Sequence, residues 1–177
     1  MRLFLLSLGV LFGTSVVGYV AIRVLAVHAP LDLPLLPRGL WFSTLLIVAS
    51  SVSIQQAVTA ARRGRPGALR MGLSVTAALS VGFLIVQAMC WAAWAGPMRA
   101  SLAQSEQRFM LTAFYVLTGM HALHVVGGLV PLMVITVRSW IAPGTATGRP
   151  GVIYTAMYWH FLAGVWLVLF VTLLLGT

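Results

Sequence analysis

The last stretch of the chain, GVIYTAMYWHFLAGVWLVLFVTLLLGT (residues 151–177), contains no charged side chain. An α-helix needs roughly 20 mostly apolar residues to cross about 30 Å of hydrocarbon, and this stretch is longer than that. Four more uncharged runs precede it: Leu3–Ile22, Gly39–Ala61, Met71–Met98 and Phe109–Val137. Inside a bilayer the backbone must satisfy its own hydrogen bonds, which leaves helices and closed barrels. No run alternates apolar and polar residues as a barrel strand does. The sequence therefore predicts an all-α integral membrane bundle of five transmembrane helices. They form one membrane domain over 1–177, with helices at about 3–25, 39–61, 69–97, 108–138 and 151–175.

The composition agrees. Of 177 residues, 60% are hydrophobic and 7% charged, and the mean hydropathy is +1.01. Soluble domains carry about 25% charged residues, so this chain cannot cover itself against water. Its net charge of +9 comes from 11 basic residues, all arginines, against Asp32 and Glu106. A nucleic-acid binder gathers such charge on one polar face. Here the arginines end the apolar runs, as headgroup anchors and topology signals do. With the N-terminus inside, the cytoplasmic side carries Arg2, Arg62, Arg63, Arg65, Arg70, Arg138 and Arg149, against Arg23, Arg38, Arg99 and Arg108 outside. The positive-inside rule then predicts N-in, C-out. Cys90 is the lone cysteine, so no intrachain disulfide or thiolate cluster is available.

The first run is longer than the roughly 7–15 apolar residues of a secretory signal, and it is read as helix one. The connections are short. Pro30, Pro34 and Pro37 forbid a regular helix between helices one and two, and RRGRPGALR (residues 62–70) joins helices two and three. No extramembrane domain is expected.

The ionisable residues within the predicted spans are His121, His124 and His160, with His28 in the first connection. His121 and His124 lie three apart, on one face of helix four. His160 is reachable from that face if helices four and five pair. One reading is haem ligation by His124 and His160, since neutral imidazole is a common ligand. The other is structural: buried imidazoles bonding to carbonyls or side chains and locking helices together. A proton relay or transporter site usually brings membrane acids, and the five runs contain none. Tyr158, Trp159 and Trp166 have the amphipathic rings that commonly sit at headgroup level. Gln87 is a buried amide needing a partner. Gly119, Gly127 and Gly128 would allow close helix approach, and Pro131 removes a donor from helix four.

Taken together, these stretches resemble cytochrome c oxidase subunit III, of the haem-copper oxidases. YWHFLAGVW (158–166) resembles that family's Tyr-Trp-His-Phe-x-Asp-x-x-Trp. FYVLTGMHALHVVGG (114–128) resembles its Phe-Tyr-x-x-Thr-Gly-x-His-Gly-x-His. STLLIVASS with ARRGR on helix two, and LIVQAMCW on helix three, fit the same order. Three membrane acids of the family are replaced, by Leu8, Cys90 and Ala163. Without those counter-charges the buried imidazoles are expected to be neutral.

The resemblance implies a short, five-helix prokaryotic member with no redox centre of its own. Its partners would be the catalytic subunit I, which carries the haem and copper, and other oxidase subunits. Phospholipids would lie in a groove between helices, with no nucleic acid involved. The setting would be a bacterial inner membrane, and the role support of the neighbour's proton uptake. His121, His124, His160, Tyr158, Trp159, Trp166, Gln87, Arg62 and Arg63 would make helix–helix or lipid contacts. An accessory subunit of a nitric oxide reductase, or a bis-histidine haem carrier, are the alternative expectations.

Overall fold

A computed structural model describes residues 1–25, 39–101, 105–141 and 149–175. The connection holding His28, Pro30, Asp32, Pro34 and Pro37 lies outside the described residues. The architecture among them is helical throughout: α1 (Arg2–Leu25), α2 (Gly39–Arg62), α3 (Pro66–Ser101), α4 (Ser105–Ile141) and α5 (Arg149–Leu174). All five are long and apolar enough to cross a membrane, as expected, so the chain is a multi-pass membrane protein.

Helices α2, α3, α4 and α5 form a ring in which each packs on the next and α5 returns to α2. Helix α1 lies outside the ring, against α4 and α5. Apolar residues occur on every side of each helix, so residues facing out, such as Leu45, Met71, Leu123 and Leu175, are as greasy as those facing in. That is the pattern of a helix solvated by lipid.

Small residues decide where the ring closes tightly. A Cβ added to Gly72 of α3 would lie 3.0–3.2 Å from the Cβ, Cα and N of Ala57 on α2. The two backbones are close enough for Ser53 Oγ to donate to the Gly72 carbonyl at 3.0 Å.

The turn between these helices follows from RRGRP. Gly64 takes φ +63°, the left-handed geometry that glycine adopts freely at a helix C-terminus. Arg65 N–H bonds back to Ala60 O at 3.0 Å and Gly64 N–H to Ala61 O at 3.4 Å. Pro66 then opens α3, where its missing N–H costs nothing. Helix α3 therefore starts at Pro66, three residues before the expected bound of about 69.

Of the three glycines expected to admit a neighbour, Gly128 does so. Its added Cβ would be 2.6 Å from the Tyr158 ring, whereas Gly119 and Gly127 face open space. Helix α4 continues through Pro131 to Ile141.

Candidate functional site at the α2–α5 seam

The face of α5 that meets α2 carries Trp159, His160 and Trp166. Both indoles are fully buried. Both rings face into the bundle. Trp159 Nε1–H donates to Ser50 Oγ at 2.9 Å, and Ser50 passes its own proton to Ile47 O at 2.7 Å. Two turns along α5, Trp166 Nε1–H donates to Thr44 Oγ1 at 3.0 Å, and Thr44 donates to Leu40 O at 2.8 Å. Each indole thus ends on a hydroxyl whose hydrogen is already committed to its own helix. The hydroxyl can only accept, and the pairing is fixed in direction.

His160 is held from the same side. Its Nδ1 lies 2.6 Å from Ser51 Oγ and its Nε2 3.1 Å from Gln55 Oε1. With the amide oxygen as acceptor, Nε2 carries the proton and Nδ1 accepts from the serine. The expected route from His160 to α4 is replaced by a link to α2. Helices α4 and α5 are joined instead by Tyr158, whose hydroxyl donates to the His124 carbonyl at 3.1 Å. The His124 ring turns back on its own helix, with Nδ1 2.7 Å from Met120 O, and packs edge-on to Phe12 of α1 at 5.2 Å.

His121 has the reverse character. It is fully buried, with ring centroids of Trp166 at 5.3 Å, Phe12 at 6.0 Å and Phe83 at 6.2 Å. Among the described residues neither of its nitrogens has a hydrogen-bond partner, and the same holds for both polar atoms of the buried Gln87 amide. Gln87 follows Phe83, which packs on His121 at 6.2 Å, by one helical turn on the same face of α3. No group of three or more His, Cys, Asp or Glu suited to a metal occurs among the described residues.

Beside the seam runs an open groove of about 680 Å³ between α2 and α5. Its floor is apolar (Val48, Val52, Ala163, Leu167), Ser51, Gln55 and His160 line its middle, and Arg63 and Arg65 stand at one end. Arg62 is exposed but is not among the lining residues. A second cavity of about 610 Å³ lies between α1 and α5 and shares His160 and Gly164 with the first. Ala163, at one of the three positions where the resemblance leads one to expect an acid, lines the groove. Leu8 sits in the core, and the Cys90 sulfur packs 2.6 Å from where Gly39 would carry a Cβ.

Sequence reasoning missed Thr44 as an acceptor on α2. A signal existed: Thr44, Ser51 and Gln55 recur at i, i+7 and i+11, a single helical stripe. Phe12 and Phe83, which wall His121, were indistinguishable from other apolar residues.

The fold and seam define a polytopic helical membrane protein whose α2–α5 seam is tied by side-chain bonds from one helix to the other. Residues 11–176 match the family model for cytochrome c oxidase subunit III, and the chain belongs to that family. It is 32% identical over 127 residues to a probable cytochrome c oxidase subunit 3 of Mycobacterium bovis, covering 72% of this chain and 61% of that one. It is 34% identical over 144 residues to the cytochrome c oxidase subunit 3 of Ornithorhynchus anatinus, covering 81% and 50%. A probable subunit 3 of Nocardia farcinica is 31% identical over 132 residues, covering 73% and 62%. The chain thus spans about half to three-fifths of the length of these relatives.

Proposed function

We propose that this chain is a non-catalytic accessory subunit of a respiratory haem-copper terminal oxidase in a bacterial inner membrane. Haem and copper reside in a neighbouring catalytic subunit I, beside which this chain packs along with other oxidase subunits. It supports that neighbour's proton uptake and holds phospholipid. The observation that carries the reading is the family match over residues 11–176, combined with a seam whose polar groups are spent on helix–helix bonds. The α2–α5 groove supports the lipid assignment: its apolar length suits an acyl chain, and Arg63 and Arg65 at one end suit a phosphate. The N-in orientation puts Arg62, Arg63, Arg65, Arg70 and Arg138 on the cytoplasmic side.

Haem ligation by His124 and His160 fits less well. Both His160 nitrogens are engaged by α2, so ligation would break one of those bonds, whereas the His124 bond from Nδ1 to Met120 O would leave its Nε2 open. The deciding experiment is purification through an affinity tag on this chain, followed by visible spectroscopy and oxidase assays. The accessory reading expects haem a or b signals that travel with a larger co-purifying subunit, and turnover that decays faster when this chain is deleted. Turnover unaltered over long assays after deletion would overturn it, as would haem retained by this polypeptide alone.

A further inference from the structure

Pro131 lies inside α4 and has no backbone N–H, so the carbonyl of Gly127, four residues earlier, loses its regular helical donor. In hydrocarbon such a carbonyl has to find another donor. Gly127 and Pro131 both line a cavity of about 410 Å³, completed by Met1 and Phe4 of α1 and by Tyr154, Thr155 and Tyr158 of α5. A Cβ added to Gly127 would meet nothing within 4 Å, so this piece of backbone is uncovered on the cavity side. Thr155 is 7% exposed, and among the described residues its hydroxyl has no hydrogen-bond partner. An acceptor without its regular helical donor and an unpaired hydroxyl therefore border one small space.

The walls select the ligand. Phe4 and Tyr158 lie with ring centroids 6.0 Å apart at 35°, making an aromatic side. No side chain lining the cavity is charged. This contrasts with the α2–α5 groove and its two arginine side chains; among the residues lining this cavity the one formal charge is the Met1 amino group, and the phosphatidylglycerol arm of the test below measures whether it draws a phosphate. Tyr154 stands five residues into α5, about 8 Å from its start, near the depth where lipid hydroxyls and esters lie.

We propose that this cavity binds an uncharged amphiphile through a hydroxyl. The hydroxyl donates to the Gly127 carbonyl and accepts from Thr155, and the apolar body rests on Phe4 and Tyr158. Two sources supply this chemistry: the free glycerol hydroxyl of a neutral lipid, or the phenolic hydroxyl of a quinol ring. The site is separate from the proposed phospholipid groove and does not depend on it.

The test uses the full chain, with any subunits that accompany it, in phosphatidylcholine nanodiscs containing a diazirine-bearing diacylglycerol. After irradiation, adducts are mapped by mass spectrometry. Label is expected on residues 1–4 and 154–158. Pro131→Ala gives the Gly127 carbonyl an intrahelical donor, and Thr155→Val removes the hydroxyl at nearly constant volume. Each should lower labelling about fivefold, the equivalent of one net hydrogen bond. Unlabelled neutral competitors should displace the probe. Displacement at lower concentration by dioleoylglycerol assigns the lipid alcohol, and by decylubiquinol the quinol.

Pro131→Ala restores a backbone bond, so its lost labelling cannot be ascribed to unfolding while its melting midpoint is unchanged or raised; should the midpoint fall, Thr155→Val carries the test. Absence of label at these residues overturns the proposal. So does labelling undiminished in Thr155→Val, or displacement by phosphatidylglycerol as effective as that by the neutral competitors.

Discussion

Trp159 and Ser50 meet in the sealed centre of the ring, indole N–H to hydroxyl oxygen at 2.9 Å, with the hydroxyl proton already given to Ile47 O. A buried indole has one donor and no acceptor, and Ser50 is the acceptor the structure supplies. Trp166 and Thr44 repeat the arrangement further along. The α2–α5 register is thereby set by two directional indole bonds, beside the bonds of His160 to Ser51 and Gln55.

Ser50→Ala should strand the Trp159 N–H in a dry site and lower stability by about 1–2 kcal/mol, the upper range for hydrogen bonds within membranes. Replacing the indole as well tests whether the bond itself is responsible. Trp159→Phe in the Ser50→Ala background should cost less than the sum of the two single changes, because the unpaired donor is gone. Thermal melts of the four proteins in one detergent measure this coupling. Strict additivity would mean that the pair contributes packing alone.

The buried His121 and the half-buried His160 should respond in opposite ways to the same substitution. His160→Phe leaves Ser51 and Gln55 without their partner, and a loss of about 1–3 kcal/mol is expected for stranding such groups. His121→Phe removes two nitrogens that have no partner among the described residues and leaves a ring among Phe12, Phe83 and Trp166. It should be neutral or stabilising. Equal losses from both substitutions, in the same melting assay, would show that His121 has a partner of comparable worth.

Close approach supplies a graded series. In Gly72→Ala the new methyl meets the backbone of Ala57, which cannot move without shifting α2. The expected cost is about 1–3 kcal/mol, that of overpacking. Gly128→Ala meets the Tyr158 ring, a side chain that can turn aside, though only by giving up its bond to the His124 carbonyl. It should cost less than Gly72→Ala and become nearly neutral in a Tyr158→Ala background. Gly127→Ala faces open space and should gain slightly from helix propensity. Melting midpoints should fall in that order.

These cases show what could be read from the residues and what could not. The five spans and the tight α2–α3 turn follow from local rules: uncharged length, and the Gly64-Arg65-Pro66 combination that ends one helix and starts the next. The neighbours of each helix do not. In a soluble bundle the apolar stripe marks the inward face, but here lipid-facing and core-facing residues are equally apolar, so periodicity gives no direction. His160 was therefore expected to turn to α4, the helix adjacent in sequence, although α5 packs on α2 as well. Tryptophan is ambiguous for a related reason. Its ring suits headgroups and suits a core that offers an acceptor, and the acceptors Ser50 and Thr44 lie more than a hundred residues away along the chain.

The arginines at the end of the α2–α5 groove make a prediction about lipid. If Arg63 and Arg65 hold a phosphate, Arg63→Gln and Arg65→Gln together should remove about 2 kcal/mol of attraction for an anionic headgroup, at about 1 kcal/mol per charge near a membrane surface. That corresponds to roughly a 30-fold loss of preference for phosphatidylglycerol over phosphatidylcholine. Arg62 is exposed on the adjacent turn and does not line the groove, so Arg62→Gln controls for the general effect of removing charge from this end of the bundle. Lipids retained by the purified protein can be quantified by mass spectrometry after exchange into mixed nanodiscs. Raising salt should weaken the wild-type preference and leave the double variant nearly unaffected, since only the exposed charge pairing is screened. An equal loss in Arg62→Gln would mean that the preference is a property of the whole basic rim, and the groove would then have no specific claim to the phosphate.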